Sequence, residues 1–203
     1  FFIARKCSVL IVPGDKLSAL PISVVFEPWK CRNANTALRI GAGAGADEPV
    51  VVTSVDVEDA TRLGISVTGT GTRVTLTDVN IRGVAPDPAG DALGYGLLAW
   101  GVEELVADGL FIREATRSGV CISDVAQFTL RRSTIENPQP FAAGLGRGVQ
   151  IQAGSTGEVD TVIVTGASDA GIFVLEPAGV VIRSVLVTGT LEADVLGSPG
   201  VRS

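Results

Sequence analysis

The chain has 203 residues, of which 46% are hydrophobic, 19% charged and 5% aromatic, with 25 glycines and neither Met nor His. That length suits one domain, and so apolar a composition excludes a disordered tail, because burial offsets the entropy of ordering. The net charge of −6 argues against nucleic acid as partner, no run long enough for a membrane helix is free of charge, and the lack of His removes Ser-His-Asp and Cys-His catalysis and His-ligated zinc.

Residues 1–36 contain apolar runs from Ser8 to Val12 and from Ile22 to Phe26, a Pro13-Gly14 turn and Trp29. They share no pattern with the rest of the chain, and are expected to form a cap over one end of a strand array. All three lysines, Lys6, Lys16 and Lys30, stand here, so no lysine nucleophile or Schiff base is expected farther on. The cysteines are Cys7, Cys31 and Cys121. A Cys7–Cys31 bridge and three unpaired thiols both remain open, and the lack of a CxxC pair excludes a metal knuckle. The opening Phe1-Phe2-Ile3 reads as the start of a mature or trimmed piece.

From residue 37 onward a repeat takes over. Ala37-Leu-Arg-Ile opens a first unit, and the stretch 41–46 (Gly-Ala-Gly-Ala-Gly-Ala) reads as a turn, since no Gly-Lys-Ser/Thr follows to cradle phosphate. Then a glycine and an alternating triplet recur: Gly64-Ile-Ser-Val, Gly96-Leu-Leu-Ala, Gly119-Val-Cys-Ile, Gly148-Val-Gln-Ile and Gly171-Ile-Phe-Val. The intervals of 32, 23, 29 and 23 residues give a basal period of 23 with two insertions. Apolar pairs follow at fixed offsets: Leu105/Ala107, Phe128/Leu130, Gly157/Val159 and Val180/Ile182, then Leu110/Ile112, Ser133/Ile135, Val162/Val164 and Val185/Val187. Val74/Leu76 and Val79/Ile81 fit with one extra residue, and Val50, Val52, Val55 and Val57 belong to the unit before. Gly200-Val-Arg-Ser reads as a further unit cut short.

Each unit thus holds three short stretches of period 2, which no 3.6-residue helical pattern fits. Three strands per unit, each stacked on its counterpart about 4.8 Å away, predict an all-β parallel solenoid of about six turns. Gly157 stands at an inward offset without a side chain, so a thin place in the core or a bulge is expected there. This pattern resembles the right-handed parallel β-helix repeats of the pectin-lyase-like superfamily, over residues 37–203. The resemblance implies the fold, but it covers lyases, hydrolases, epimerases, tailspikes and adhesins alike, so activity must be read from a site.

Polygalacturonases of that superfamily carry catalytic aspartates on one outward strip around the opening strand. Here Asp169 is the only acid on that strip, so the carboxylate pair of a glycoside hydrolase is missing. Lyases of that superfamily use Arg or Lys as base, which the resemblance would place on Arg62, Arg117 or Arg147, yet none stands beside an acidic cluster. Asp87 and Asp91 match no Ca²⁺ motif and read as turn residues, so no cofactor is expected, with Ca²⁺ at these two aspartates as the alternative. Asp108, Arg131, Asp160 and Arg183 share one offset in successive units and are expected to form a structural ladder of alternating charge, not an acid pair of Glu158 with Asp160. Thr68 and Thr70 lack stacked counterparts, which excludes an ice-binding face.

The insertions at 82–95 and 136–147 both precede an opening strand and so rise from one face. Between them stand Tyr95, Leu98, Trp100, Arg117, Cys121 and Asp124, with Phe141 on the second insertion. Tyr95, Leu98, Trp100, Arg117, Asp124 and Phe141 are the candidate ligand-binding residues, since aromatic faces with a nearby Arg and Asp suit sugar rings. The functional expectation is a non-catalytic module of an exported, bacterial protein, acting outside the cell or at its surface. Its partner would be a polysaccharide or surface glycan, with no nucleic acid and no membrane insertion. A polyuronate lyase and a structural spacer or adhesin stalk are the alternatives.

Overall fold

The computed structural model describes residues 9–11, 23–42, 49–87, 93–141 and 145–190, and among them there is no helix. The opening strands of the repeat form one sheet, in the order β1 (Val9–Ile11), β3 (Thr36–Ile40), β5 (Leu63–Thr68), β8 (Tyr95–Trp100), β11 (Ser118–Ser123), β13 (Arg147–Gln152) and β15 (Ile172–Leu175). The second and third stretches of each unit form two further faces. In four units they run as one long strand around a corner: β2 (Ser23–Arg32), β4 (Val50–Glu58), β12 (Gln127–Glu136) and β14 (Thr156–Thr165). In the others they are two strands: β6 (Arg73–Thr77) and β7 (Asn80–Val84), β9 (Glu104–Asp108) and β10 (Phe111–Ala115), β16 (Gly179–Arg183) and β17 (Leu186–Thr188). Every pairing among the described residues is parallel and joins a strand to its counterpart in the next turn. From β3 to β15 the chain makes six turns, the expected solenoid.

Within the segment expected as a cap, β1 pairs with β3 through Val9 and Leu38, and β2 pairs with β4 through Ser23 and Val51, then Lys30 and Asp56. These strands extend the same sheets in parallel. Cys7, and with it the Cys7–Cys31 pairing, lies outside the described residues, as do Gly200 to Ser203.

Why the chain turns three times per unit is visible in its backbone. At each corner one residue adopts the left-handed conformation and stacks on its counterpart. The first corner carries Gly69, Gly101, Asp124, Ala153 and Glu176; the second carries Ser54, Asp78, Gly109, Arg132, Thr161 and Ser184; the third carries Asn33, Asp59, Gly83, Glu114, Asn137, Gly166 and Gly189. Gly, Asn and Asp supply most of these positions, as the steric cost of positive φ requires.

The inward side chains form continuous columns. Leu38, Ile65, Leu97, Val120 and Val149 share one register position, and Ile40, Val67, Ala99, Ile122 and Ile151 another; all ten are fully buried. Each Leu, Ile or Val among them contributes about 1.5–3 kcal/mol on leaving water. The repeat glycines have a distinct cause: a Cβ on Gly96 would stand 2.6 Å from the Gly119 carbonyl oxygen and 2.6 Å from Ile112 Cγ2. The opening strand therefore lies against the branched residue of the third strand of its own turn, and the same juxtaposition recurs at Gly64 with Ile81 and at Gly148 with Val164. The expected thin place at Gly157 is filled from the neighbouring turn. Phe128, in register with Gly157 and wholly buried, lays its ring where a side chain on Gly157 would be. At the last described turn the inward residues Val174, Ile182 and Val187 are 37%, 45% and 40% exposed, unlike their buried counterparts.

The charge column keeps the expected register, Asp108 to Arg131 to Asp160 to Arg183, but its bonds concentrate on one member. Arg131 Nη2 lies 2.9 Å and Arg132 Nη2 2.6 Å from Asp108 Oδ2, while Arg183 reaches toward Glu158 at 3.9 Å instead of Asp160. The Arg132 hydrogen bond, opposed by burial and aided by Arg131, holds the Asp108 carboxyl below its ordinary value. A depressed folded value stabilises above the unfolded one and is lost as pH falls through it. Asp108→Asn is therefore expected to cost roughly 1–2 kcal/mol at neutral pH through lost charge-assisted hydrogen bonds. In urea titrations that difference should shrink steadily below about pH 4.

Candidate functional site

On the first sheet, positions two and four residues after the repeat glycine point away from the core, along with the residue just before it. Much of this outward surface is nevertheless covered. Leu63, Tyr95 and Cys121 form a second buried apolar cluster with Leu98, and Leu93 of the first insertion packs against it. Ser66 and Gln150 are also buried. Ser118 Oγ donates to Gln150 Oε1 at 3.2 Å, and Gln150 Nε2 donates to Gln152 Oε1 at 2.7 Å. Burial pushes the Cys121 thiol up to about 12, outweighing the nearby Arg117 and Arg147, so it is no nucleophile. Burial likewise raises Tyr95.

The arginines of this strip are engaged. Arg117 lies over the Tyr95 ring at 5.2 Å, and Arg62 Nε stands 3.4 Å from Asp87 Oδ2. Arg147 donates from Nε to Asp169 Oδ2 at 2.6 Å and covers the Phe173 ring at 3.6 Å. Asp169, the single acid of the strip, is thus the partner of a neighbouring arginine. Asp91 lies outside the described residues, and among the described residues no group of three or more His, Cys, Asp or Glu side chains could hold a metal ion.

Open surface remains at the C-terminal end of the opening strands, around the first corner. A groove of about 610 Å³ is lined there by Arg39, Thr68, Thr70, Trp100 and Asp124, with Gly41, Ala42, Gly69 and Gly101 as its floor. The floor is low because two successive turns place glycine at the left-handed corner position, φ 98° at Gly69 and 63° at Gly101. Trp100, at the end of β8, is 60% exposed and is the most exposed large apolar side chain among the described residues. Asp124 holds the corner position of the next turn, where Asp tolerates φ of 53°. Its Oδ2 lies 4.0 Å from where a Cβ on Gly101 would stand, so the carboxylate faces the emptied corner in the lining it shares with Trp100. Arg39 stands at the opposite end, on β3. A second hollow of about 450 Å³, at the third corner around Asp59, Gly83 and Glu114, has no aromatic lining.

Of the six candidates, Trp100 and Asp124 are brought together in the groove. Tyr95 is withdrawn from solvent beneath Arg117, and Leu98 is half-buried in the same cluster. Phe141 is half-buried on the second insertion, its N–H bonded to the Leu145 carbonyl at 3.0 Å, and is not part of the groove lining. Sequence reasoning passed over Arg39, Thr68 and Thr70 as groove residues. The signal that marks them is the pair Gly69 and Gly101, each five residues after a repeat glycine, which empties one corner over two turns.

A family described as right handed beta helix region matches residues 31–189. No curated protein and no solved structure matches the chain.

Proposed function

Since this chain belongs to the right-handed β-helix family, we propose that it is a non-catalytic binding module whose first-corner groove holds a polysaccharide or surface glycan. The observation that carries the reading is Trp100, 60% exposed in a groove otherwise lined by glycine, alanine, threonine and two charged side chains. An indole left in water at a concave surface is relieved when an apolar sugar face stacks on it, and flanking Arg, Asp and Thr groups suit the hydroxyls around the ring. The absence of turnover is inferred from the lining itself. Asp124 is its one carboxylate, without the acid partner that glycoside hydrolysis needs. The arginines expected of a lyase are held against Asp87, Tyr95 and Asp169. An extracellular or cell-surface setting accords with such a ligand and with a composition of 13 arginines and 3 lysines.

A glycan array on the purified chain, with a polyuronate turnover assay beside it, tests this. Trp100→Ala is expected to reduce binding to the captured glycan at least about tenfold, the worth of one good aromatic contact. Its far-UV circular dichroism should not change, because the side chain points into solvent. Turnover of a polyuronate, or undiminished binding by the variant, contradicts the proposal.

A further inference from the structure

Charge on this solenoid is mostly consumed in pairs. Glu58 receives Lys30, Arg32 and Arg82; Asp108 receives Arg131 and Arg132; Arg73 meets Glu104 and Arg147 meets Asp169. Among the described arginines, Arg39 is the one with no ion pair, side-chain hydrogen bond or ring contact, and it lines the groove. The Asp124 carboxylate, at the other end of the same groove, likewise takes no hydrogen bond or ion pair from the described residues. The two cannot satisfy each other. Arg39 aligns with Ser66, and Asp124 follows Ser123, which aligns with Trp100 and Thr68; three turns at about 4.8 Å each separate them, beyond the combined reach of their side chains.

Resting on the glycan reading above, we propose that the groove selects a zwitterionic saccharide, one that carries an acidic group toward Arg39 and a protonated primary amine toward Trp100 and Asp124. A guanidinium pairs with a carboxylate or sulfate through parallel hydrogen bonds. An ammonium is held by an indole face together with a carboxylate, cation–π attraction and charge acting on the same group. A neutral sugar would leave both charges of the groove unmatched, and a purely acidic one would set its charge against Asp124.

The test is titration calorimetry of the whole chain with a tetrasaccharide that alternates glucosamine and glucuronate, in three forms: free amine with free carboxylate, N-acetylated, and carboxyl-reduced. The free form is expected to bind, with each modification weakening it at least tenfold. The amine preference should vanish in Asp124→Asn and the carboxylate preference in Arg39→Gln. Both variants should keep the wild-type Tm, since neither side chain has a partner to lose. Equal binding of all three forms, still abolished by Trp100→Ala, overturns the zwitterion inference and leaves the glycan groove standing. Tighter binding of the N-acetylated form also overturns it. Failure of all three, alongside an array on which no glycan is captured, overturns both.

Discussion

Gly96→Ala is expected to destabilise the chain by about 2–3 kcal/mol, although Ala is among the mildest replacements for glycine elsewhere. A Cβ there meets the Gly119 carbonyl oxygen at 2.6 Å and Ile112 Cγ2 at 2.6 Å. One of these atoms is backbone held in the next turn and the other is a fully buried side chain, so neither moves aside without displacing its column. The coupling is testable by a double-mutant cycle. Ile112→Ala removes one of the two clashing atoms, so Gly96→Ala should cost at least about 1 kcal/mol less in that background than in the wild type. Equal costs in the two backgrounds, from urea unfolding, would mean that the repeat glycine answers to something other than the third strand. The same contact explains why glycine opens five units in succession.

Phe128→Ala is expected to cost about 3–5 kcal/mol, near the top of the range for a single buried side chain. Phe128 is the largest of the fully buried residues among those described, and its ring serves two turns at once, its own and that of Gly157. Removing it leaves a void bordered by a residue with no side chain to relax into it, so the site collapses poorly. Phe128→Leu should recover much of the loss, because a branched side chain still reaches over Gly157. Restoring volume from the other side should fail: a Cβ on Gly157 lies 2.6 Å from the Phe128 ring and closer still to the Phe128 carbonyl oxygen, so Gly157→Ala destabilises too. Thermal unfolding of the three variants gives the order wild type, Phe128→Leu, then Phe128→Ala and Gly157→Ala.

The fold was legible because stacking translates sequence into geometry directly. A period of 23 residues with inward pairs at constant offsets has one parallel solution, and the columns from Leu38 to Val149 follow it residue by residue. The corners were legible only where Gly, Asn or Asp stands in them. Arg132, Thr161 and Glu114 adopt the same left-handed backbone because the turns above and below impose it, and nothing in their chemistry announces that. The charge ladder shows the same limit: its register followed from the offsets, but Arg132 joins Asp108 only because a left-handed corner turns its side chain back. For the site, Trp100 and Asp124 were readable as outward residues beside the insertions. The covering of Tyr95 and Cys121 was not, because it depends on Leu93 folding over the sheet. Arg39 is not marked by sequence, because a charged residue near the end of β3 looks like any solvated face until the emptied corner beside it becomes visible in three dimensions.

The groove is tested most directly by filling it. Gly101 has φ 63°, a Cβ there would meet nothing closer than 4.0 Å, and Asn tolerates that backbone well. Gly101→Asn should therefore fold with only a small loss of Tm while its side chain occupies the floor between Trp100 and Asp124. Compared with wild type on the same captured glycan, the variant is predicted to lose binding at least tenfold. Binding retained at full strength by a folded Gly101→Asn would place the ligand elsewhere on the solenoid and contradict the account.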